Sequence, residues 1–254
     1  MSRPQGEITR GTTNPNRLRR VDRWIAARLA AHGPTSPLVV DLGFGSTPIT
    51  AVELAARLSP FGARVVGVEI DPARVASAQA YADPPRLSFL RGGFELGGLR
   101  PDVVRAFNVL RQYDFAAVPS AWATLTASLA PGGWLVEGTC DELGRLATWG
   151  LLPAGAAGPV SLTLAARMST LEGPASFAER LPKALIHRNV PGEPVHTLLR
   201  ELDACWHRAA SVGVFGPRQR WIATVRAYRD AGNAVLDGVR RWRLGELTVP
   251  WPSA

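Results

Sequence analysis

The order of apolar and helical segments predicts an α/β fold: a doubly wound, mostly parallel sheet of seven strands with an antiparallel C-terminal strand and a helical insertion. Apolar runs of strand length alternate with segments of helical periodicity, a glycine-rich turn follows the first run, and an acid ends the second. With 254 residues, of which 46% are hydrophobic, the chain can bury one core and an added segment.

Residues 1–32 are predicted to form an irregular arm and one amphipathic helix. The arm is rich in Gly, Thr, Pro and Asn and has no apolar periodicity. We expect a helix over residues 15–31, capped by Asn14 or Asn16, because four apolar residues recur at helical spacing: Leu18, Val21, Ile25 and Leu29.

Residues 33–167 are predicted to form the core of the sheet. The apolar run over residues 37–42 is typical of a buried parallel strand, and it leads into Gly43-Phe44-Gly45. A helix over residues 49–58 and a strand over residues 63–69 follow, and Asp71-Pro72 begins another helix. Later strands are expected at 87–90, within 102–109, at 134–138 and at 160–164.

Residues 168–232 are predicted to be a helical insertion or lid, with helices over 177–187, 194–210 and 219–229. A minimal sheet of this kind does not need so long a segment, so we expect it to cover the acceptor side of a binding site. Residues 233–254 then complete the sheet with a strand over 244–249.

The glycine turn and the acid together predict a nucleotide-binding unit. Glycines between a strand and a helix let a ligand approach the backbone, although a tight turn alone would also use Gly43 and Gly45. Glu69 lies 24 positions after Gly45, at the end of the next strand. A carboxylate there can accept hydrogen bonds from both hydroxyls of a ribose, which makes the pair more specific than either feature.

Three segments resemble motifs of the class I, Rossmann-like methyltransferases that use S-adenosylmethionine. They are Val39-Val40-Asp41-Leu42-Gly43-Phe44-Gly45, Val66-Gly67-Val68-Glu69-Ile70-Asp71 and Leu129-Ala130-Pro131-Gly132-Gly133-Trp134-Leu135, and the likeness covers residues 35–140. The resemblance implies that Glu69 holds the cofactor ribose and Ile70 lies against adenine. The other expected cofactor-binding residues are Asp41, Gly43, Gly45, Ser46, Thr47, Gly93, Phe94 and Asn108, with Thr12, Thr13 and Arg17 of the arm and first helix.

Two positions depart from that pattern. Thr47 stands where a third glycine is often found, and Gly92-Gly93 replaces the acid that usually binds the adenine amino group, which leaves Phe94 and its backbone for this role. A nicotinamide dinucleotide is the competing cofactor. It is disfavoured because its third glycine position holds Pro48, which has no amide hydrogen for a pyrophosphate.

The loop after the fourth strand and the helical insertion supply the candidate acceptor residues: Arg111, Tyr113, His187 and Arg188. Arg111 can meet an anionic group or simply be solvated, and Asn108 can contact the methionine or cap a strand end. His187 and His196 are the candidates for a general base, which a hydroxyl acceptor requires. The loop lacks the Asn/Asp-Pro-Pro-aromatic form associated with planar amines. The expected reaction is therefore methylation of a small or medium acceptor at oxygen.

The charge of the chain leaves a second function open, namely an RNA-binding methyltransferase or a methyltransferase-like RNA-binding protein. The net charge is +8, but Lys183 is the only lysine among 29 basic residues, a skew that GC-rich coding would also produce. Nucleic acid is therefore the less favoured partner, and a small-molecule acceptor the favoured one.

Cysteine usage and hydropathy exclude several other classes. Cys140 and Cys205 are expected to be free thiols, and Cys140 lacks the Pro-Cys pair that accompanies the similar nucleophile of RNA cytosine methyltransferases. No group of residues has metal-ligand spacing. No apolar stretch reaches the roughly 18 residues of a membrane span, and the start lacks the apolar region of a signal peptide, so a cytoplasmic location is expected.

Overall fold

The computed structural model describes residues 4–8, 11 and 13–253. Its centre is an eight-stranded sheet of order β3-β2-β1-β4-β5-β6-β7-β8. Strands β1 to β5 are mutually parallel, whereas β5 to β8 pair as an antiparallel meander. The strands are β1 Leu38–Leu42, β2 Arg64–Glu69, β3 Leu87–Arg91, β4 Val103–Phe107, β5 Trp134–Cys140, β6 Leu146–Pro153, β7 Ser161–Ala166 and β8 Glu246–Pro250.

This topology confirms the predicted α/β class, and it corrects the strand count from seven to eight and the antiparallel part from one strand to a meander of three pairings. The missed strand is β6. It is buried at six consecutive positions and so shows no alternation of apolar and polar residues, and Gly150 interrupts its apolar run. A half-buried strand is recognised in a sequence by the alternation of apolar and polar residues, so β6 could not be predicted from its residues alone.

The helices lie on both faces of the sheet. They are α1 Arg19–His32, α2 Ile49–Leu58, α3 Pro72–Ala78, α4 Val118–Ala127, α5 Lys183–Ile186, α6 Pro194–Arg208, α7 Pro217–Asp230 and α8 Val239–Trp242. Helix α2 has the predicted bounds. The Asp71 side chain accepts a hydrogen bond from the Ala73 amide and caps α3, as the sequence indicates.

The predicted cap of α1 is wrong. The residue before the helix is Leu18, which provides no side-chain cap. The Asn14 side chain donates to the Glu142 carbonyl instead, and the Asn16 side chain accepts from Arg57. Asn16 has a φ of 61°, so the chain turns there before the helix begins. Both asparagines tie the start of α1 to neighbouring parts of the fold.

Three apolar clusters hold the layers together. Helices α1 and α2 cover one face of the sheet with Ile25 and Leu54, and α4 covers the other face with Leu125. The segment from 174 to 230 builds a third cluster on β7 and β8, which includes Trp221, Phe177 and Trp206. Burying one aromatic side chain of this size stabilises the fold by roughly 2–3 kcal/mol.

Within the predicted insertion, only part of the chain lies near the edge of the sheet at which the parallel strands end. A 3-10 helix, Pro174–Arg180, and α5 follow β7, and the end of the 3-10 helix meets the carboxyl end of β5 and the amino end of β6. Helices α6 and α7 pack on each other and on the sheet face, through Leu198, Leu202 and Trp221. The segment is therefore a helical layer on the sheet, and its first third also contacts the ends of β5 and β6.

Candidate functional site

A cavity of about 140 Å³ opens at the carboxyl ends of β1 and β4. These strands lie side by side, and the chain leaves them on opposite sides, which is where open α/β sheets bind their ligands. The lining brings together six of the residues that the sequence predicts for the cofactor: Thr13, Arg17, Asp41, Gly43, Gly45 and Asn108.

The glycine turn adopts backbone conformations that require glycine. Gly43 has a φ of 71° and Gly45 a φ of 84°, in the left-handed region that other residues rarely adopt. A Cβ at Gly45 would lie 2.5 Å from the carbonyl oxygen of Gly11, so the arm passes directly over the turn. Ser46 binds the arm, while Thr47 is exposed and does not line this cavity.

Glu69 lies at the end of β2 with 2% of its surface exposed. One carboxylate oxygen accepts from the Gly45 amide at 3.1 Å, and the other accepts from the Ile70 amide at 2.8 Å. Arg74 forms an ion pair with the same carboxylate at 3.5 Å. Main-chain amides hold this buried carboxylate in a fixed orientation, which suits it to receive paired hydroxyl groups.

Asp41 is held by a buried ion network. Arg105 of β4 donates to Asp41 at 3.0 Å from its Nε and also pairs with Asp22 of α1. The Thr50 hydroxyl donates to Asp41 at 2.9 Å, and Arg57 pairs with Asp22 at 2.7 Å. Burial lowers the pKa of Arg105, but Asp22 and Asp41 outweigh that effect and raise it, so the guanidinium stays charged.

A second, narrow cavity of about 20 Å³ continues from the first toward β2 and β3. Glu69, Ile70, Gly93, Phe94 and Tyr113 line it. The rings of Phe94 and Tyr113 lie 5.2 Å apart, so the sequence-predicted adenine residues come together, and Tyr113, predicted for the acceptor, joins them instead. Burial raises the pKa of Tyr113, which keeps its hydroxyl protonated.

The N-terminal arm closes this narrow cavity. The Phe94 amide donates to the Gln5 carbonyl at 2.9 Å, and the Gln5 amide donates to the Glu95 carboxylate at 2.8 Å. The Glu7 amide donates to the Tyr113 hydroxyl at 2.6 Å. Gly93 permits this contact, because a Cβ there would lie 1.9 Å from the Gln5 oxygen.

The arm also reaches the wider cavity, as the sequence predicts. Both the amide and the hydroxyl of Ser46 donate to the Gly11 carbonyl at 2.9 Å. Thr13 and Arg17 line the cavity, and the Arg17 Nε donates to the Asp141 carbonyl at 3.0 Å. Thr12 lies outside the described residues.

Asn108 joins the cavity to the end of β5. It has a φ of 59°, an uncommon conformation that asparagine tolerates better than most residues. Its Oδ1 accepts from the Cys140 amide at 3.0 Å, and its Nδ2 donates to the Cys140 sulfur at 3.3 Å. Burial raises the pKa of Cys140, so the thiol is protonated and a poor nucleophile.

The candidate acceptor residues of the insertion lie apart from both cavities. Arg188 forms an ion pair with Glu193 at 2.6 Å. His187 is exposed, and its ring meets Phe115 edge-on at 6.2 Å. His196 is half-buried on α6. The roles of these three residues stay predictions, and neither histidine lines a cavity with the glycine turn.

Several site residues were not found from the sequence. Arg105 lies among valine, alanine and phenylalanine in β4, and a single charge inside an apolar strand is the signal that could have revealed a buried ion pair. The Glu95 carboxylate accepts a hydrogen bond from the Gly93 amide. Glu95 lies two positions after Gly92-Gly93, the pair that replaces the acid expected to bind the adenine amino group. Gln5 and Glu7 act through their main chains, which no sequence pattern indicates.

Residues 4–8, 11 and 13–253 contain no cluster of three or more His, Cys, Asp or Glu that could hold a metal ion. No helix in that part of the chain has the length and apolar character needed to cross a bilayer.

No protein-family model matches the sequence, and none of the curated proteins matches it. Similar solved structures include magnesium protoporphyrin IX methyltransferase from Synechocystis PCC 6803 with bound SAH, at 23% identity over 48% of this chain and 55% of that chain, with a TM-score of 0.39. The CurJ carbon methyltransferase is 23% identical over 48% of this chain and 34% of its own, with a TM-score of 0.40.

Human N-acetylserotonin methyltransferase in complex with SAM is 22% identical over 50% of this chain and 39% of its own, with a TM-score of 0.35. The aligned part of the present chain thus spans about a third to a half of each of these three proteins. The strand order, glycine turn and strand-end acid of the present chain define a Rossmann-like α/β protein.

Proposed function

We propose that this chain is an S-adenosylmethionine-dependent methyltransferase that acts on a small or medium acceptor at oxygen. The observation that supports it best is the Glu69 carboxylate, buried at the end of β2 and facing the Gly45 amide across the crevice. A ribose diol bound there would replace the Gly45 amide as donor and satisfy the carboxylate by two hydrogen bonds.

The remaining residues fit the two ends of such a cofactor. Ile70 and Phe94 offer apolar surface for an adenine, and Thr13, Arg17 and Asn108 offer polar groups for an amino-acid moiety. When bound, the cofactor supplies an activated methyl group on a sulfonium. The chain then has to orient the acceptor and exclude water, because an in-line transfer depends mainly on distance and direction.

The test of the proposal is calorimetric titration of the purified, ligand-free chain with S-adenosylhomocysteine. We expect binding to the natural sequence. The variant Glu69→Ala should bind about 30- to 1000-fold more weakly, because it loses two hydrogen bonds to a charged group. The control Asp83→Asn changes an exposed acid at the amino end of β3, away from the carboxyl ends that carry the cavities, and should bind normally. Absence of heat with the natural sequence would overturn the proposal.

RNA binding is a second candidate function, and the clustering of arginines favours it. Arg19, Arg20 and Arg23 of α1 lie near Arg167 at the end of β7, and burial together with these like charges lowers the pKa of Arg20 to about 10. Two of the side chains also have structural partners, since Arg19 donates to the Leu143 carbonyl and Arg20 to the Leu244 carbonyl.

A further inference from the structure

Two arginines lie on elements that contact β5, and in the described part of the chain neither forms an ion pair with an acid. Arg111 lies in the 3-10 turn Leu110–Gln112 that follows β4, and Arg180 ends the 3-10 helix Pro174–Arg180. In the described part of the chain, Nη1 of Arg111 and Nε of Arg180 are buried and have no hydrogen-bond partner. Neither residue belongs to any of the ion pairs found there.

The end of β5 brings the two arginines together. The turn that carries Arg111 contacts β5, and the hydroxyls of Thr139 on β5 and Thr148 on β6 both donate to the Arg180 carbonyl. These bonds fix the backbone of Arg180 above the ends of the two strands. Burial and the neighbouring charge of Arg180 lower the pKa of Arg111, with Glu179 acting in the opposite direction.

Two neighbouring arginines that each bury an unpaired N–H group are unfavourable without an anion. Like charges repel, and an N–H group that is buried without a partner has lost its hydrogen bonds to water. A carboxylate or a phosphate between them would remove both costs, because each anion accepts several hydrogen bonds from guanidinium forks.

The subsite lies beside the proposed methyl-transfer site. Arg111 is three positions from Asn108 and one from Gln112, and both of these residues line the 140 Å³ cavity. We propose that Arg111 and Arg180 bind an anionic group of the methyl acceptor, a carboxylate or a phosphate, and so position the acceptor against that cavity. This inference rests on the proposed methyltransferase function, and it names the chemical class of the substrate.

The experiment measures anion binding to the full chain by thermal denaturation, with inorganic phosphate and acetate titrated separately against chloride at constant ionic strength. A ligand that binds only the folded state raises the melting temperature with a saturable dependence on concentration. We expect such a rise for at least one anion. Saturation by phosphate alone identifies the anionic group of the acceptor as a phosphate, and saturation by acetate alone identifies it as a carboxylate.

Three variants assign the binding to the two arginines. Arg111→Gln and Arg180→Gln should each weaken it by about 10- to 100-fold. Arg111→Lys, which keeps the charge and loses the planar fork, should fall between. The control Arg145→Gln removes an exposed arginine on the same sheet edge and should leave binding unchanged. No saturable rise with either anion, or equal rises in all variants, would overturn the inference.

Calorimetry with S-adenosylhomocysteine on the same variants separates this inference from the proposed function. We expect normal cofactor binding in Arg111→Gln and Arg180→Gln, because neither side chain lines the cofactor cavities. Loss of anion binding with retained cofactor binding supports the subsite. Absence of cofactor binding in the natural chain refutes the methyltransferase function, whatever the anions do.

Discussion

Arg105 is the residue on which the geometry beneath the glycine turn depends. It is fully buried and joins β4 to Asp22 of α1 and Asp41 of β1. Without it, two carboxylates would remain in the core with only Arg57 and Thr50 as partners. The network therefore ties the first helix to the strand that leads into the cofactor cavity.

Replacing this side chain tests that dependence. Arg105→Met should lower the free energy of unfolding by about 3–5 kcal/mol, because removing one partner of a buried ion pair leaves the other uncompensated. Urea denaturation measures the change. The exposed pair Arg86–Asp83 provides the control, and Arg86→Gln should cost less than about 1 kcal/mol. A loss below 1 kcal/mol for Arg105→Met would show that the network is not needed for stability.

Glu137 of β5 gives the fold a dependence on pH. It is 1% exposed beside Trp122, and in the described part of the chain its Oε1 has no hydrogen-bond partner. Burial raises its pKa from 4.5 to about 8, and the Trp122 indole offsets part of that rise. The folded state therefore keeps a proton that the unfolded state loses above pH 4.5.

The direction of the pH dependence follows from that difference in bound protons. The contribution of Glu137 to the free energy of unfolding is fully present below pH 4.5 and is lost as the pH rises toward 8. Between pH 7 and 8, above the pKa of about 7 that burial gives Glu246, the free energy of unfolding should decrease by about 1 kcal/mol per pH unit. Denaturation of Glu137→Gln over the same interval should show a smaller slope. An unchanged slope would assign the effect to another group.

At the scale of elements, sequence patterns predicted the features that residue type and spacing determine. The glycine turn and the Asp71 cap are set by neighbours within a few positions, and Glu69 was recognised by its spacing from Gly45; the structure places all three as expected. The strand β6 was missed because its continuous burial leaves no alternation of apolar and polar residues, and the arm contacts were missed because their partners lie far along the chain. Gln5 and Phe94 meet through main-chain atoms 89 positions apart, and backbone hydrogen bonds leave little trace in residue type.

The arm offers the clearest test of an element. Deleting residues 1–8 removes the main-chain bonds to Phe94, Glu95 and Tyr113 that close the narrow cavity. We expect S-adenosylhomocysteine to dissociate about tenfold faster, because losing about 1.4 kcal/mol of binding free energy with the arm contacts corresponds to a factor of ten. Stopped-flow displacement measures the rate.

A point substitution separates the effect of closure from that of chain length. Gly93→Ala keeps the arm but places a Cβ 1.9 Å from the Gln5 oxygen, so the arm has to lift away. It should reproduce the faster dissociation seen with the deletion. Unchanged dissociation in both proteins would mean that the arm is not a cover for the bound cofactor.

At the scale of the whole molecule, the net charge of +8 separates the two candidate functions. The arginine cluster around Arg20 should retain the chain on heparin if it serves as a phosphate-binding face, with elution shifting steeply with salt. Because Arg19 and Arg20 already donate to loop carbonyls, we expect early elution at moderate salt. Late elution that Arg23→Gln and Arg167→Gln together abolish would favour RNA binding instead.

The meander also has a consequence for the synthesis of this protein on the ribosome. Strand β7, Ser161–Ala166, has no charged residue and is buried at all six positions, and its partner β8 begins about 80 residues later. At about 5–20 residues per second, the nascent chain presents β7 without that partner for roughly 4–16 s. An uncharged, unpaired strand edge invites pairing with other chains. The recovered yield should therefore respond to elongation rate and chaperone supply more than to the stability of the finished fold.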